Sequence, residues 1–284
     1  MQAENGVRSR FVKEKKKRKK MKRFFIQMHG IAKKCGLVAC LCAMFPLTGF
    51  GQRSVDLDFQ VDVVSNHIWR GTDLGDVSVQ PTGTVSYRGA YASLFGSTGF
   101  SGLDIQRIDF TLGYKAPFGV NIGATSHWKS GLDYLNRYFF FDEKLTAHVF
   151  EGNIGYSCKY FNLQAYTMFW GNDFKMNGDR AYSTYVELSV PFRLGSVDLL
   201  ASVGGTPMES AGWTTYINTP TPLYDNMNDY LYADGPAVVS VSLRATKSYH
   251  AGKFEIPVFM EFDANPYTQK AGVVAGVTLR PFRK

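Results

Sequence analysis

From Val55 to Val63 the odd positions are apolar (Val55, Leu57, Phe59, Val61, Val63) and the even ones polar (Asp56, Asp58, Gln60, Asp62). A period of two is the spacing of a strand whose faces meet different surroundings. Comparable segments recur at 77–88, 90–99, 104–115, 119–129, 143–159, 162–170, 181–192, 197–206, 237–248, 254–264 and 271–281, which predicts about twelve strands. No amphipathic helix of three turns interrupts them after Gln52. Near Val149-Phe150 the apolar phase switches from Leu145, Ala147 and Val149 to Phe150, Ile154 and Tyr156, and a bulge would restore it. Pro81 and Pro257 fall inside predicted strands, where each removes a ladder donor. They mark either bulges or a strand count that is off by two.

Alternation alone fits a soluble sandwich as well as a membrane barrel, but segment length and connections separate the two. Most segments run about ten residues, the length a tilted strand needs to cross a bilayer. The connections alternate between tight and long. Tight ones fall at Arg88-Gly89, 116–118, Tyr160-Phe161, 193–196 and 250–252, and the long ones include 130–142 and 207–236. Short turns on one rim, long loops on the other and an even strand count predict an all-β fold, a transmembrane antiparallel up-and-down β-barrel. Aromatic residues cluster at segment ends. Tyr87, Tyr91, Tyr114, Phe118, Tyr160, Phe161, Phe192, Tyr249, Phe254 and Phe282 lie near tight turns; Trp69, Phe100, Trp128, Tyr138, Trp170 and Tyr182 lie at the other ends. They predict two interfacial girdles.

A net charge of +8 invites a nucleic-acid partner until the charges are located. Of 32 Lys and Arg, 13 lie in residues 1–51 with only two of the 24 acids, so the remainder carries 19 against 22, a net of −3. Nucleic acid is therefore not an expected partner. Residues 1–20 read as a basic tail or an over-called start, with translation expected to begin at Met21. Residues 21–51 read as a signal peptide: Lys22, Arg23, Lys33 and Lys34 precede an apolar run from Leu37 to Leu47, and Gly49 and Gly51 predict cleavage before Gln52. Leu37-Val38-Ala39-Cys40 also matches a lipoprotein box, but Lys33 and Lys34 leave it no apolar lead-in. Cleavage removes Cys35, Cys40 and Cys42 and leaves Cys158 alone, so no internal disulfide is expected. Residues 52–284 form the barrel, with outer-membrane lipid and, during biogenesis, the barrel-assembly machinery as partners. The oligomeric state is left open.

Parity assigns Asp56, Asp58, Asp62, Asp109, Glu151, Glu187, Asp198, Glu255, Glu261 and Asp263 to the lumen, against Arg88, Lys115, Lys159, Arg244 and Arg280. The bland reading is a salt-bridged interior; the sharper one is a cation-preferring passage. Because the first strand closes on the last, the Asp56–Asp62 row is expected near Arg280. Trp69 is expected in the outer girdle, and Arg70 on the lumen parity near the outer mouth.

His67, His127, His148 and His250 are scattered, so neither a metal nor a cofactor is expected. Ser126 and His127 sit at the level where a lipid hydrolase would hold its catalytic pair, but adjacent strand residues face opposite ways. The expectation is no enzyme, with an outer-membrane lipid hydrolase using His127 or another loop-level His as an alternative. In 207–236, Trp213, Tyr216, Tyr224, Tyr230 and Tyr232 stand among Asp225, Asn226, Asn228 and Asp229, a composition that suits glycan binding and equally a solvated loop.

Ser65-Asn66-His67-Ile68-Trp69-Arg70-Gly71, followed by Gln80-Pro81, resembles the opening of the TorF-like family of Gram-negative outer-membrane proteins regarded as porins. The likeness covers about residues 55–100 and departs at His67-Ile68, where an aromatic would stand nearer the Asn. It implies an outer-membrane barrel with a pore function and no catalytic residues. The expected function is passive passage of small hydrophilic solutes. A non-conducting barrel that binds ligands through its loops is the other alternative.

Overall fold

The computed structural model describes residues 55–100, 106–130, 137–212, 230–252 and 254–282. The expected tail, signal peptide and candidate glycan-binding residues Trp213, Tyr216, Tyr224, Asp225, Asn226, Asn228 and Asp229 lie outside them.

Each predicted segment becomes a strand, because every one has an apolar face to present to one side and a polar face to the other. In chain order they are β1 (Asp56–Val64), the two-residue strands β2 (Ile68–Trp69) and β3 (Thr72–Asp73), β4 (Ser78–Tyr87), β5 (Ala90–Gly99), β6 (Arg107–Lys115) and β7 (Val120–Lys129). Then follow β8 (His148–Ser157), β9 (Asn162–Gly171), β10 (Thr184–Leu194), β11 (Val197–Thr206), β12 (Ala237–Ala251), β13 (Phe254–Asn265) and β14 (Lys270–Phe282). β1 and β4–β14 close into a single antiparallel barrel of twelve strands, each paired with its neighbours in sequence, and β1 seals on β14. Closure gives each of these twelve strands two partners, so the barrel itself has no open edge.

The expected bulge is present: the β8–β9 register shifts between Phe150 and Glu151. Both prolines remain in strands at places where one ladder is interrupted. Pro81 lies in the gap between the Val79–Thr98 and Thr82–Phe95 pairs, and β13 pairs with β14 only from Val258 onward, one residue past Pro257. The twelve-strand count therefore stands. Arg88 and Gly89, both at positive φ, form the tight β4–β5 turn. The segment expected at 143–159 is shorter: the strand starts at His148. Residues before it fold as a compact connection in which Asp142 Oδ1 accepts from the backbone N–H of Lys144 and Leu145.

The barrel is inside-out relative to a soluble protein. Ile154 is 59% exposed, Met260 60% and Val273 55%, and Phe110, Leu112, Leu188, Leu243 and Phe262 share this outer surface. Inward positions are mostly polar, including Ser97, Asn121, Ser240, Ser242 and Thr278, with a few apolar ones such as Phe259 and Val274. An apolar belt of this extent is stable only against an apolar solvent, which is lipid. Tyr87, Tyr114, Phe118, Tyr160, Phe192, Tyr249 and Phe254 are exposed near the tight-turn rim, as a girdle requires. Tyr91 is an exception: it points inward, with Lys115 over its ring. Phe100 and Tyr182 are exposed toward the opposite rim, whereas Trp128 is covered by Tyr138.

Candidate functional site

The largest departure from the parity reading follows Val64. Ser65 N–H donates to Ala275 O, and the chain then turns into the barrel instead of continuing upward. His67 N–H donates to Gly75 O, and Leu74 N–H to His67 O, closing a hairpin on β2 and β3. Its tip is Arg70-Gly71, with φ of 53° and 76°, a combination that suits a two-residue hairpin turn. Asn265 Nδ2 donates to Gly71 O at 3.1 Å and pins the tip to the distant wall. Trp69 is therefore in the lumen and not in the outer girdle. Parity failed here because it holds only while a strand continues.

Arg70 is the centre of the site. Its guanidinium makes a two-pronged pair with Glu151 of β8, at 2.6 and 2.8 Å, and donates to the Tyr232 hydroxyl at 2.7 Å. It also lies 4.1 Å from the Tyr166 ring centre, 4.5 Å from Trp69 and 5.0 Å from Tyr185. Such contacts suit the planar, weakly hydrated guanidinium. Next to it, Arg107 Nε donates to both Asp109 oxygens at 2.8 Å. His127 is wedged between the acids, its Nδ1 3.0 Å from Asp109 and its Nε2 3.4 Å from Glu151. Arg107 and Lys129 approach the Trp69 ring to 4.3 and 4.5 Å. Three cations and two carboxylates thus fill one side of the lumen toward the long-connection rim. Beside them, Tyr185, Leu231, Tyr232, Ala233 and Val239 form a small buried core. Tyr232, read from sequence as a loop aromatic, is almost wholly buried here.

Across from this cluster lies a cavity of about 260 Å³, which Arg70 also borders. Six of the sixteen residues expected in the lumen meet there: Asp62, Arg70, Glu187, Arg244, Glu261 and Asp263. Ser202, Ser240, Ser242 and Gln80 add neutral polar groups. Thr278 donates to Asp62, Tyr185 to Glu187 and Ser240 to Asp263. Arg244 lies 3.7 Å from Glu261 and over the Phe259 ring at 3.6 Å. Asp109 and Glu151 lie in the Arg70 cluster, and Asp56, Asp58 and Arg280 are placed elsewhere. Asp56 and Asp58 are exposed toward the tight-turn rim, Asp56 bordering a second cavity with Arg88 and Lys115. Arg280 donates to Gln60 at 3.2 Å and not to the aspartates, because Asp62 faces Thr278 across the seam.

Arg107 and Lys129 were missing from the parity count, although they share the inward face of Asp109 and His127 on β6 and β7. Counting bases by the same rule as acids would have found them. Tyr166, Tyr185 and Tyr232 carried no such signal. Their role depends on Arg70 arriving from a different element.

Tyr232 and His67 lie in connections outside the spanning strands. Burial pushes the Tyr232 phenol up. Burial, with Arg107 and Lys129 adding to it and Asp109 opposing, holds His67 down to about 4. His67 Nδ1 is 3.0 Å from Ser97 Oγ. The unfolded chain binds a proton at His67 near pH 6.5, and the folded chain only near pH 4. The His67 contribution to stability is therefore present above about pH 6.5 and is lost on acidification toward pH 4. Urea unfolding in lipid vesicles at pH 7.5 and 4.5 is expected to show a smaller acid-induced loss for His67→Gln than for wild type. An equal loss in both would remove His67 from the account.

Apolar exterior, closed antiparallel walls and a charged interior define the class: a transmembrane up-and-down β-barrel whose lumen is narrowed by an inserted hairpin. No protein-family model and no curated protein sequence matches the chain, so the TorF-like resemblance rests on its short motif alone. Among solved structures, one that is similar is the NanC porin in a rhombohedral crystal form. The match covers 81% of this chain and 100% of that chain, at 12% identity and a TM-score of 0.40.

Proposed function

We propose that this barrel resides in the outer membrane of a Gram-negative bacterium and passes small hydrophilic solutes, with cations preferred. The observation that carries this reading is the cavity inside the wall, where Asp62, Glu187, Glu261 and Asp263 stand against Arg70 and Arg244. Four carboxylates against two cations leave this part of the lumen net negative, as a cation-preferring passage requires. The apolar belt and the leader-like run from Leu37 to Leu47 support the location. On this reading the tight turns face the periplasm, the long connections face outward, and the Arg70 hairpin forms the narrowest point.

The positive cluster at the hairpin tempers the preference. Arg70, Arg107 and Lys129 offset several of the acids, so selectivity is expected to be weaker than the acid-rich parity count implies. Reversal potentials across a salt gradient in planar bilayers test the proposal. Wild type is expected to prefer cations, less so at high salt, where the screening length shrinks from about 10 Å at 0.1 M to about 3 Å at 1 M. The triple change Glu187→Gln, Glu261→Gln and Asp263→Asn is expected to reduce the preference. An anion-selective or silent wild type would overturn the pore reading.

A further inference from the structure

The outer face of the barrel holds a second arrangement that solute passage does not use. Ser126 and His148 lie on adjacent strands, β7 and β8, on the face shared with exposed Ile122 and Ile154 and toward the long-connection rim. His127, between them in sequence, points inward, so the pair comes from neighbouring strands and not from neighbouring residues. Ser126 Oγ is 3.1 Å from His148 Nδ1. His148 Nε2 is 2.5 Å from Tyr138 O. A carbonyl oxygen only accepts, so Nε2 carries the imidazole proton and Nδ1 is the acceptor facing the serine hydroxyl.

We infer that Ser126 and His148 form a nucleophile–base pair that cleaves acyl esters of membrane lipids from the lipid-facing side of the wall. The three requirements are a serine hydroxyl, a base in its accepting tautomer and a third group that fixes that base, and all three are present. The imidazole is shielded from water: it is 1% exposed, stacked on Phe141 at 4.6 Å and edge-on to Tyr138 at 5.0 Å. Ser126 is only half-buried. Phe139, Phe141 and Leu145 are exposed on the connection that covers the histidine, apolar groups suited to lipid chains. The buried indole N–H of Trp128, two residues from Ser126 on the same face, has no hydrogen-bond acceptor among the described residues.

In the reaction, Ser126 Oγ bonds to the ester carbonyl carbon while its proton passes to His148 Nδ1. The tetrahedral adduct collapses with cleavage of the ester C–O bond, and Nδ1 returns the proton to the departing alcohol. Water, deprotonated by the same nitrogen, then releases the fatty acid and restores the serine. This activity is independent of conduction.

The test uses the full mature chain folded in detergent, with phosphatidylethanolamine in mixed micelles as one substrate and a short soluble p-nitrophenyl ester as another. A fluorophosphonate probe followed by peptide mapping locates the reactive serine. The expected results are fatty-acid release above protein-free micelles and label on Ser126. Ser126→Ala, with folding verified by heat-modifiable gel migration, is expected to lower release about a hundredfold or more. Absence of label, label on another serine, or equal release from the variant would show that the hydrogen bond merely fastens the covering connection. Cleavage of the soluble ester alone would overturn the lipid assignment. If Ser126→Ala does not fold, the wild-type peptide map decides.

Discussion

Replacing Glu151 with Gln is expected to destabilise the folded barrel by about 3–5 kcal/mol, the usual cost of stripping one partner from a buried ion pair. Arg70 and Glu151 are almost fully enclosed, with side chains 9% and 3% exposed. The guanidinium spends its two-pronged geometry on this one carboxylate, and the Tyr232 hydroxyl it also meets carries no charge. With Gln in place, the hairpin has reason to leave the lumen and take Arg70 to water. Single-channel conductance is then expected to rise while the apolar exterior stays intact. The double variant Arg70→Met, Glu151→Met removes both charges and is expected to recover most of the lost stability. Urea unfolding in vesicles measures the first effect and planar bilayers the second. Wild-type stability and conductance in Glu151→Gln would show that the pair is not what seats the hairpin.

The second large effect is expected at the hairpin tip. Gly71 has φ of +76°, and a Cβ there would lie 1.8 Å from the carbonyl oxygen of Val239 on β12, a backbone atom that cannot swing aside. Gly71→Ala therefore combines a left-handed backbone with a collision, together on the order of 3 kcal/mol. Gly178, at φ of +90°, has nothing within 4 Å of the same added atom, so Gly178→Ala isolates the backbone component. The expected order is a loss at position 71 well above that at position 178, with conductance raised only at 71. Equal losses would mean that the tip does not press on β12.

Strand content was legible because parity is local: five or six residues reveal which face is which, and the Val149-Phe150 phase break announced its bulge. The prolines were ambiguous in sequence because proline marks a missing hydrogen bond without saying which neighbour lacks it. The site was half legible. Asp62, Glu187, Arg244, Glu261 and Asp263 converge because parity and closure place them together. Trp69 and Arg70 were extrapolated along a strand that had ended at Val64, and nothing in Ser65-Asn66 announces an inward turn. The Ser126–His148 pair was hidden for a related reason. Neighbours across a sheet are set by register, and the connection between β7 and β8 gave no register from sequence.

The hairpin that follows β1 finds its seat only on residues made much later. Gly71 is held by Asn265, 194 residues further on, and Arg70 meets Glu151 and Tyr232, 81 and 162 residues away. While the chain is still being assembled, the first strand and its attached plug have no socket. Arg70 must stay hydrated until β8 and the base of the β11–β12 connection are in place, and the tip waits for β13. Seating of the plug is thus a late event coupled to near-completion of the wall. A barrel halted early would hold an unplugged, water-filled interior and two unpaired strand edges at the same time.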